Sequence, residues 1–154
     1  MKKFLKLFVL ITVAFALACG MCSCKKETGP KEYEFTTERT QKKLMPSVTY
    51  GCDLYTADLP SLKKMSSVVY QGKPFGEISD EAAAVKVAVQ AVYEIYGNSF
   101  DGYEPLICSY NKRASCWIVH GTPQDNRNTG MTFVAIREAD GEVVMIRKNP
   151  KDDE

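Results

Sequence analysis

The regular spacing of apolar residues is clearest between 80 and 96, where it predicts an amphipathic helix. Ser79 is the predicted N-cap, Asp80 and Glu81 fall in the first turn, and Gly97 suits the C-terminal end. The apolar positions recur at the i, i+3, i+4, i+7 spacing of one buried stripe, namely Val85, Ala88, Val89, Val92, Ile95 and Tyr96.

Four apolar segments after this helix predict an antiparallel meander joined by short polar turns. Because side chains alternate along a strand, Trp117 and Val119 are expected on one face, and Ile118 and His120 on the other. Both faces are largely apolar, so the helix covers one, and residues 48–78, a partner or a shallow cavity covers the other. The fold class is therefore α+β, with one main amphipathic helix packed on a curved antiparallel sheet of about four strands. The predicted strands lie near 103–110, 115–121, 131–138 and 142–148.

The segments before the helix carry weaker patterns. Residues 24–47 are polar, charged and interrupted by prolines, which predicts a flexible tether, with "YEF" at 33–35 able to add a short edge strand. Within 48–78, residues 68–70 favour a strand and residues 61–65 a helical turn. The chain length fits a single α+β domain over 48–154.

The first 23 residues have the pattern of an export signal. Lys2, Lys3 and Lys6 accompany an apolar run from Phe4 to Ala18, which is too short for the roughly 30 Å of a bilayer core. Small residues and cysteines follow the run, as in bacterial lipoproteins, so residues 1–23 are predicted to be a lipoprotein signal peptide. An ordinary cleaved signal and an uncleaved anchor are the alternatives.

Cys24 is the predicted lipidation site, because Ser23 precedes it and the charged pair Lys25 and Lys26 follows it. Cys19, in "ALAC", is the alternative. Several acyl chains anchor a protein almost permanently. The expected location is the bacterial cell envelope, with the domain lipid-anchored and facing the periplasm or the cell exterior.

Charge and cysteine content narrow the function classes. Of 20 basic residues three leave with the signal, so 17 basic residues face 19 acidic ones and the net charge becomes −2. The basic residues are scattered, which argues against nucleic acid as a partner. The mature chain has one histidine and no CxxC pair, so we expect no metal site and no cofactor.

Cys108 and Cys116 flank the polar stretch "SYNKRAS" and are a candidate disulfide. If a hairpin placed them opposite each other, their Cα atoms would lie about 4.5–5.5 Å apart, within disulfide range. The alternative is that both are small buried apolar residues.

The order of motifs from 81 to 148 resembles the nuclear-transport-factor-fold (cystatin-like cone) immunity proteins of bacteria, giving a family-like core at 80–148. The motifs are Tyr96–Gly97 at the helix end, Tyr103 and Pro105 opening the first strand, Trp117, Val119 and Gly121–Thr122–Pro123 in the second, and Asp140–Gly141 in the last hairpin. The resemblance implies a non-catalytic binding protein whose partner is a cognate toxin.

Candidate contact residues lie on the second strand and on the polar loop 122–130 that follows it. They are Trp117, His120, Asp125, Asn126 and Arg127. The alternatives are that Trp117 is a core residue, that His120 is a hydrogen-bonded structural residue and that the loop is a solvated turn. The chain has no nucleophile elbow, P-loop, dinucleotide-binding turn or HExxH pattern, which favours binding over catalysis.

Two alternative functions make different structural demands. A small-ligand-binding envelope lipoprotein needs an apolar cavity lined by Val85, Val89, Trp117 and Val134. An enzyme needs His120 beside a carboxylate in a cleft.

Fatty-acid labelling tests the anchor. Cys24→Ala is expected to abolish incorporation of labelled fatty acid, because the acceptor thiol is removed, whereas Cys19→Ala retains it. Unchanged labelling of both variants would contradict the lipoprotein assignment.

Overall fold

The computed structural model describes residues 29–37, 54–122 and 130–149. In this part of the chain two helices accompany one open, mostly antiparallel sheet. The predicted α+β class is therefore confirmed. The elements are β1 (Phe35–Thr36), α1 (Leu59–Met65), α2 (Glu81–Tyr96), β2 (Leu106–Asn111), β3 (Cys116–His120), β4 (Thr132–Arg137) and β5 (Val143–Lys148).

The sheet has five strands in the order β1-β2-β3-β4-β5. The predicted meander forms β2 to β5, each antiparallel to the next, and β1 adds a parallel strand at the β2 edge. The expectation of about four strands is thus corrected to five. The extra strand is the short edge strand allowed by "YEF", shifted to Phe35–Thr36.

The prediction of a flexible tether over 24–47 is wrong for residues 29–37, which dock on the domain. Tyr33 packs edge-on against Phe100 with ring centroids 5.9 Å apart, and Lys31 forms an ion pair of 2.5 Å with Asp101. These contacts and the β1 pairing offset the conformational entropy that the segment loses when it becomes ordered. The polar composition alone did not indicate such contacts. Residues 24–28 and 38–47 of that prediction lie outside the described residues.

Helix α2 confirms the predicted helix but corrects its cap. Asp80, not Ser79, is the N-cap, because its Oδ1 accepts a hydrogen bond of 2.8 Å from the Ala83 N–H. That hydrogen bond also lowers the pKa of the Asp80 carboxyl. Gly97 ends the helix with φ +66°, a conformation that glycine adopts without Cβ strain.

The segment between 54 and 78 provides the second layer. Asp58 caps α1 by accepting a 3.0 Å hydrogen bond from the Ser61 N–H. The helix has seven residues and is therefore longer than the single turn predicted. The predicted strand at 68–70 reduces to one antiparallel bridge between Val68 and Ile146.

The two faces of the sheet carry separate apolar clusters, as the alternation predicts. Trp117 and Val119 belong to the cluster under α2, whereas Ile118 lies in the cluster under α1, where Leu62 is fully buried. Burying a leucine side chain stabilises a fold by roughly 1.5–3 kcal/mol. The second face was expected to meet residues 48–78, a partner or a shallow cavity. In the structure, residues from the 48–78 segment pack on it.

Asn111 joins this second layer to the sheet. Its buried side-chain amide donates to the carbonyl oxygens of Leu54 at 2.7 Å and Ala57 at 2.9 Å. Its Oδ1 accepts from the Arg113 and Ala114 N–H groups at 3.0 and 3.1 Å. Both amide donors and both acceptor lone pairs are therefore used.

Asn111→Asp tests this junction, because a carboxylate keeps the acceptor role and loses the donor role. We expect a loss of about 3 kcal/mol in the free energy of unfolding at neutral pH, since the buried carbonyl of Leu54 and the partly buried carbonyl of Ala57 lose their partner. Burial raises the pKa of such a carboxyl group, and the protonated form donates one hydrogen bond, so the loss shrinks as the pH falls toward 5. Urea titrations measure both effects.

The exposed amide of Gln71 supplies the matched control. Gln71→Glu makes the same chemical change and is expected to leave the free energy of unfolding within about 0.5 kcal/mol of the wild type. Equal stabilities for the two variants would show that Asn111 does not hold the layers together.

Candidate functional site

Trp117, a candidate for the core or for a partner contact, lies in the core. It is 9% exposed, and its ring packs edge-on against Tyr110 with centroids 4.9 Å apart. Its indole Nε1 is buried with no hydrogen-bond partner. The prediction of a surface contact is wrong because α2 covers this face of the sheet.

His120 is also buried, with 0% exposure. Its Nδ1 lies 2.7 Å from the Gly121 carbonyl oxygen, and its Nε2 is hydrogen-bonded to the Tyr55 hydroxyl. A carbonyl only accepts, so we assign the proton to Nδ1, and Nε2 then accepts from Tyr55. This geometry fits the interpretation of His120 as a hydrogen-bonded structural residue and not as a partner contact, since the ring faces protein on both sides.

The polar loop predicted as a contact surface is tied down where the structure describes it. The Thr122 N–H donates to the Tyr103 carbonyl at 2.7 Å, and the Thr122 hydroxyl donates to the Pro105 carbonyl at 2.5 Å. The other predicted contact residues, Asp125, Asn126 and Arg127, lie outside the described residues, as do Cys24 and Cys19.

The predicted disulfide between Cys108 and Cys116 is not formed. Cys108 pairs with Val119 and Cys116 pairs with Asn111, so the register separates the two thiols along the hairpin. They also lie in different apolar clusters on opposite faces. Burial raises the pKa of Cys108 to about 12 and that of Cys116 to about 11, so both remain neutral thiols at pH 7.

No single cavity is lined by the four residues that the ligand-binding alternative requires. Val85, Val89, Trp117 and Val134 pack together in one hydrophobic cluster between α2 and the sheet, and only Val85 and Val89 also border a surface groove, on the side of residues 30–35. Within the described residues, no group of three or more His, Cys, Asp or Glu side chains could hold a metal ion. Among those same residues, no helix is long and apolar enough to cross a membrane.

An arch of residues 68–75 forms a distinct surface feature at the β5 edge. Its first end is held by the 2.8 Å hydrogen bond from the Ser67 N–H to the Ile146 carbonyl. Beyond its second end, the Gly76 N–H donates to the Asp140 carbonyl at 2.9 Å. Between these bonds the chain leaves the strand edge and encloses a groove of about 390 Å³, which we call the β5 groove. The lining residues are Lys63, Ser66, Val68, Val69, Tyr70, Gly72, Pro74, Glu142, Val143 and Val144.

Tyr70 braces this arch. Its hydroxyl donates a 2.7 Å hydrogen bond to Glu94 of α2, and its ring stacks on Phe75 with centroids 6.0 Å apart. The ring also lies against the backbone of Gly72, where a Cβ atom would overlap it. Burial and the Glu94 carboxylate raise the pKa of Tyr70 to about 12, so the hydroxyl stays a donor at neutral pH.

Charges around the groove are paired with one another. Lys63 lies 3.0 Å from Glu142, and Arg137 contacts both Glu142 and Asp140 at 2.5 Å. The hydrogen bonds from Arg137 lower the pKa of Asp140 to about 2. By contrast, the apolar side chain of Val69, at the groove, is 74% exposed. The groove therefore suits an apolar group of a partner.

Val69 is not among the predicted contact residues, which lie on the second strand and on the polar loop that follows it. A signal was present in "SSVVYQG", where strand-like alternation turns Val68 and Tyr70 toward the core and Val69 away from it. The pattern gives the direction of the side chain, but it does not show that no other element covers it.

Comparison of the chain with protein-family models, curated proteins and solved structures finds no match.

Thiol chemistry tests the cysteine assignment. In a background with Cys19, Cys22, Cys24 and Cys52 all changed to serine, Cys108 and Cys116 are expected to react slowly with an alkylating reagent in the native protein and rapidly in urea, because both are buried neutral thiols. A reductant should leave the unfolding midpoint unchanged. A mass two hydrogens lower in the unreduced chain, or a midpoint lowered by reductant, would contradict free thiols.

Proposed function

We propose that this chain is a membrane-anchored, non-catalytic binding lipoprotein of the bacterial cell envelope. The anchor is Cys24, with Cys19 as the alternative, and the domain faces the periplasm or the cell exterior. The resemblance of residues 80–148 to nuclear-transport-factor-fold immunity proteins supports a toxin protein as the partner. In this proposal the chain neutralises the toxin by covering part of its surface.

Val69 carries the proposal for the binding surface. Val69 is 74% exposed, so a partner that removes this apolar side chain from water lowers the free energy of the complex. The arch that presents it is tied to β5 at one end, to the β4–β5 turn at the other and to α2 through Tyr70. A surface held in this way loses little conformational entropy on binding, which favours affinity.

The surroundings of the candidate catalytic groups support a non-catalytic role. His120 is fully buried, and protein groups contact both of its ring nitrogens. Cys108 and Cys116 are neutral thiols, and a cysteine nucleophile acts as the thiolate. None of these three side chains is presented to a substrate in the described structure.

Small-ligand binding is the second candidate, and it moves from the core to the β5 groove. The groove volume of about 390 Å³ falls within the range of ligand pockets, roughly 300–1,000 Å³. Its valine side chains and the ring of Tyr70 would contact an apolar ligand.

A growth-protection assay tests the toxin proposal. The full chain is expressed together with the product of each neighbouring gene, and we expect it to restore growth against one toxic product. Val69→Asp is expected to weaken complex formation by roughly tenfold or more, because it places a charge in an apolar contact. Calorimetry on the purified toxin measures the affinity.

Lys112→Gln is the matched control, since it also lowers the net charge by one at an exposed position on the β2–β3 turn. Both variants should unfold at the wild-type urea concentration, and only Val69→Asp should lose protection. If no neighbouring product is toxic, the toxin proposal fails. If Val69→Asp protects fully, the β5 groove is not the binding surface.

A further inference from the structure

A second groove lies at the opposite edge of the sheet from the β5 groove. It runs between residues 30–35 and the first half of α2 and has a volume of about 470 Å³, and we call it the β1 groove. Its lining is mainly apolar, and Phe35 at its wall is 39% exposed. The lining side chains that matter here are Tyr33, Phe35, Ala82, Val85, Lys86 and Val89.

The wall formed by residues 30–35 is fixed to the domain by three contacts. The Tyr33 hydroxyl donates a 2.8 Å hydrogen bond to Asp101, which also binds Lys31. The Leu106 N–H donates to the Glu34 carbonyl at 2.8 Å. The groove is therefore built by the domain together with the chain that arrives from the anchor.

Covalent distance places this groove close to the anchor. Pro30 follows Cys24 by six residues, and a fully extended chain covers at most about 20 Å over six residues. If Cys24 is lipidated, as proposed above, Pro30 at one end of the β1 groove cannot lie farther than this from the bilayer surface. The inference below rests on that assignment.

The groove also has the chemistry of a membrane contact. Aromatic and aliphatic side chains line it, while the exposed ammonium of Lys86 lies at its wall, where lipid phosphate would approach. Lys31 and Glu32 also line the groove, and the charge of Lys31 is paired with Asp101. Lys86 is thus the cation that best complements an anionic headgroup.

We propose that the β1 groove faces the membrane that holds the anchor and takes up an acyl chain of a membrane phospholipid. The exposed ring of Phe35 enters the interfacial region, and Lys86 lies beside the lipid phosphate. The β5 groove then lies at the far edge of the sheet. Four strand spacings of about 4.8 Å separate the two edges, so the partner surface lies roughly 19 Å across the sheet from the membrane-facing edge.

Photochemical crosslinking in the full lipidated protein tests this inference. Benzoylphenylalanine replaces Phe35 in one variant and Ala82, on the α2 wall, in a second. Each is reconstituted into vesicles of phosphatidylethanolamine and phosphatidylglycerol that carry radiolabelled phosphate. The same residue at Val69 is the control, because that side chain is more exposed but belongs to the β5 groove. We expect roughly fivefold more phospholipid adduct at Phe35 and Ala82 than at Val69.

Equal labelling at the two grooves, no phospholipid adduct, or a mass that shows only a crosslink to the protein's own acyl chain overturns the inference. Fatty-acid labelling of the same preparations separates this failure from failure of the anchor. Lipidated protein without a phospholipid adduct leaves the lipoprotein proposal intact, whereas absence of fatty acid removes both proposals.

Discussion

The side-chain amide of Asn111 is the constraint on which the two-layer arrangement depends. A sheet with two apolar faces needs a cover on each, and α2 supplies one through its own periodic stripe. The other cover, around Leu54 and Leu62, is short and includes a stretch of irregular backbone whose carbonyl groups need partners. Asn111 satisfies two of those carbonyls and two N–H groups of the β2–β3 turn, so one side chain fixes the cover and the turn together.

The sequence predicts the local elements of this fold but not the register of the β2–β3 hairpin, which depends on Asn111. Alternation along β3 and β4 and the apolar stripe of α2 are local patterns, and the structure confirms them because each element follows its own period. Register is different, since it depends on where a turn begins. Asn111 ends β2 by accepting from Arg113 and Ala114, and the turn therefore spans 112–115. That turn sets Cys116 opposite Asn111, which a reading of cysteine spacing could not anticipate.

The candidate site was predicted less well than the fold, for a related reason. Trp117 and His120 were placed correctly relative to each other, on opposite faces of β3, but their exposure depends on covers from distant parts of the chain. The covering residue Tyr55 precedes α1 in a segment with little periodicity, so its contact with His120 left no pattern in the sequence. Val69 shows the converse. Strand-like alternation predicts that its side chain points away from the core, but it does not predict that the side chain stays exposed.

The docked segment before β1 changes how a lipid anchor would act on this domain. A tether extending to residue 47 would leave the domain free to present any face to a partner. With residues 30–36 fixed along α2 and β2, at most about six residues separate Cys24 from the folded structure. In the proposed lipoprotein, such a short connection restricts rotation, and the edge near β1 stays close to the membrane. The β5 edge, where the arch presents Val69, then lies on the side of the sheet away from the membrane and is open to a large partner.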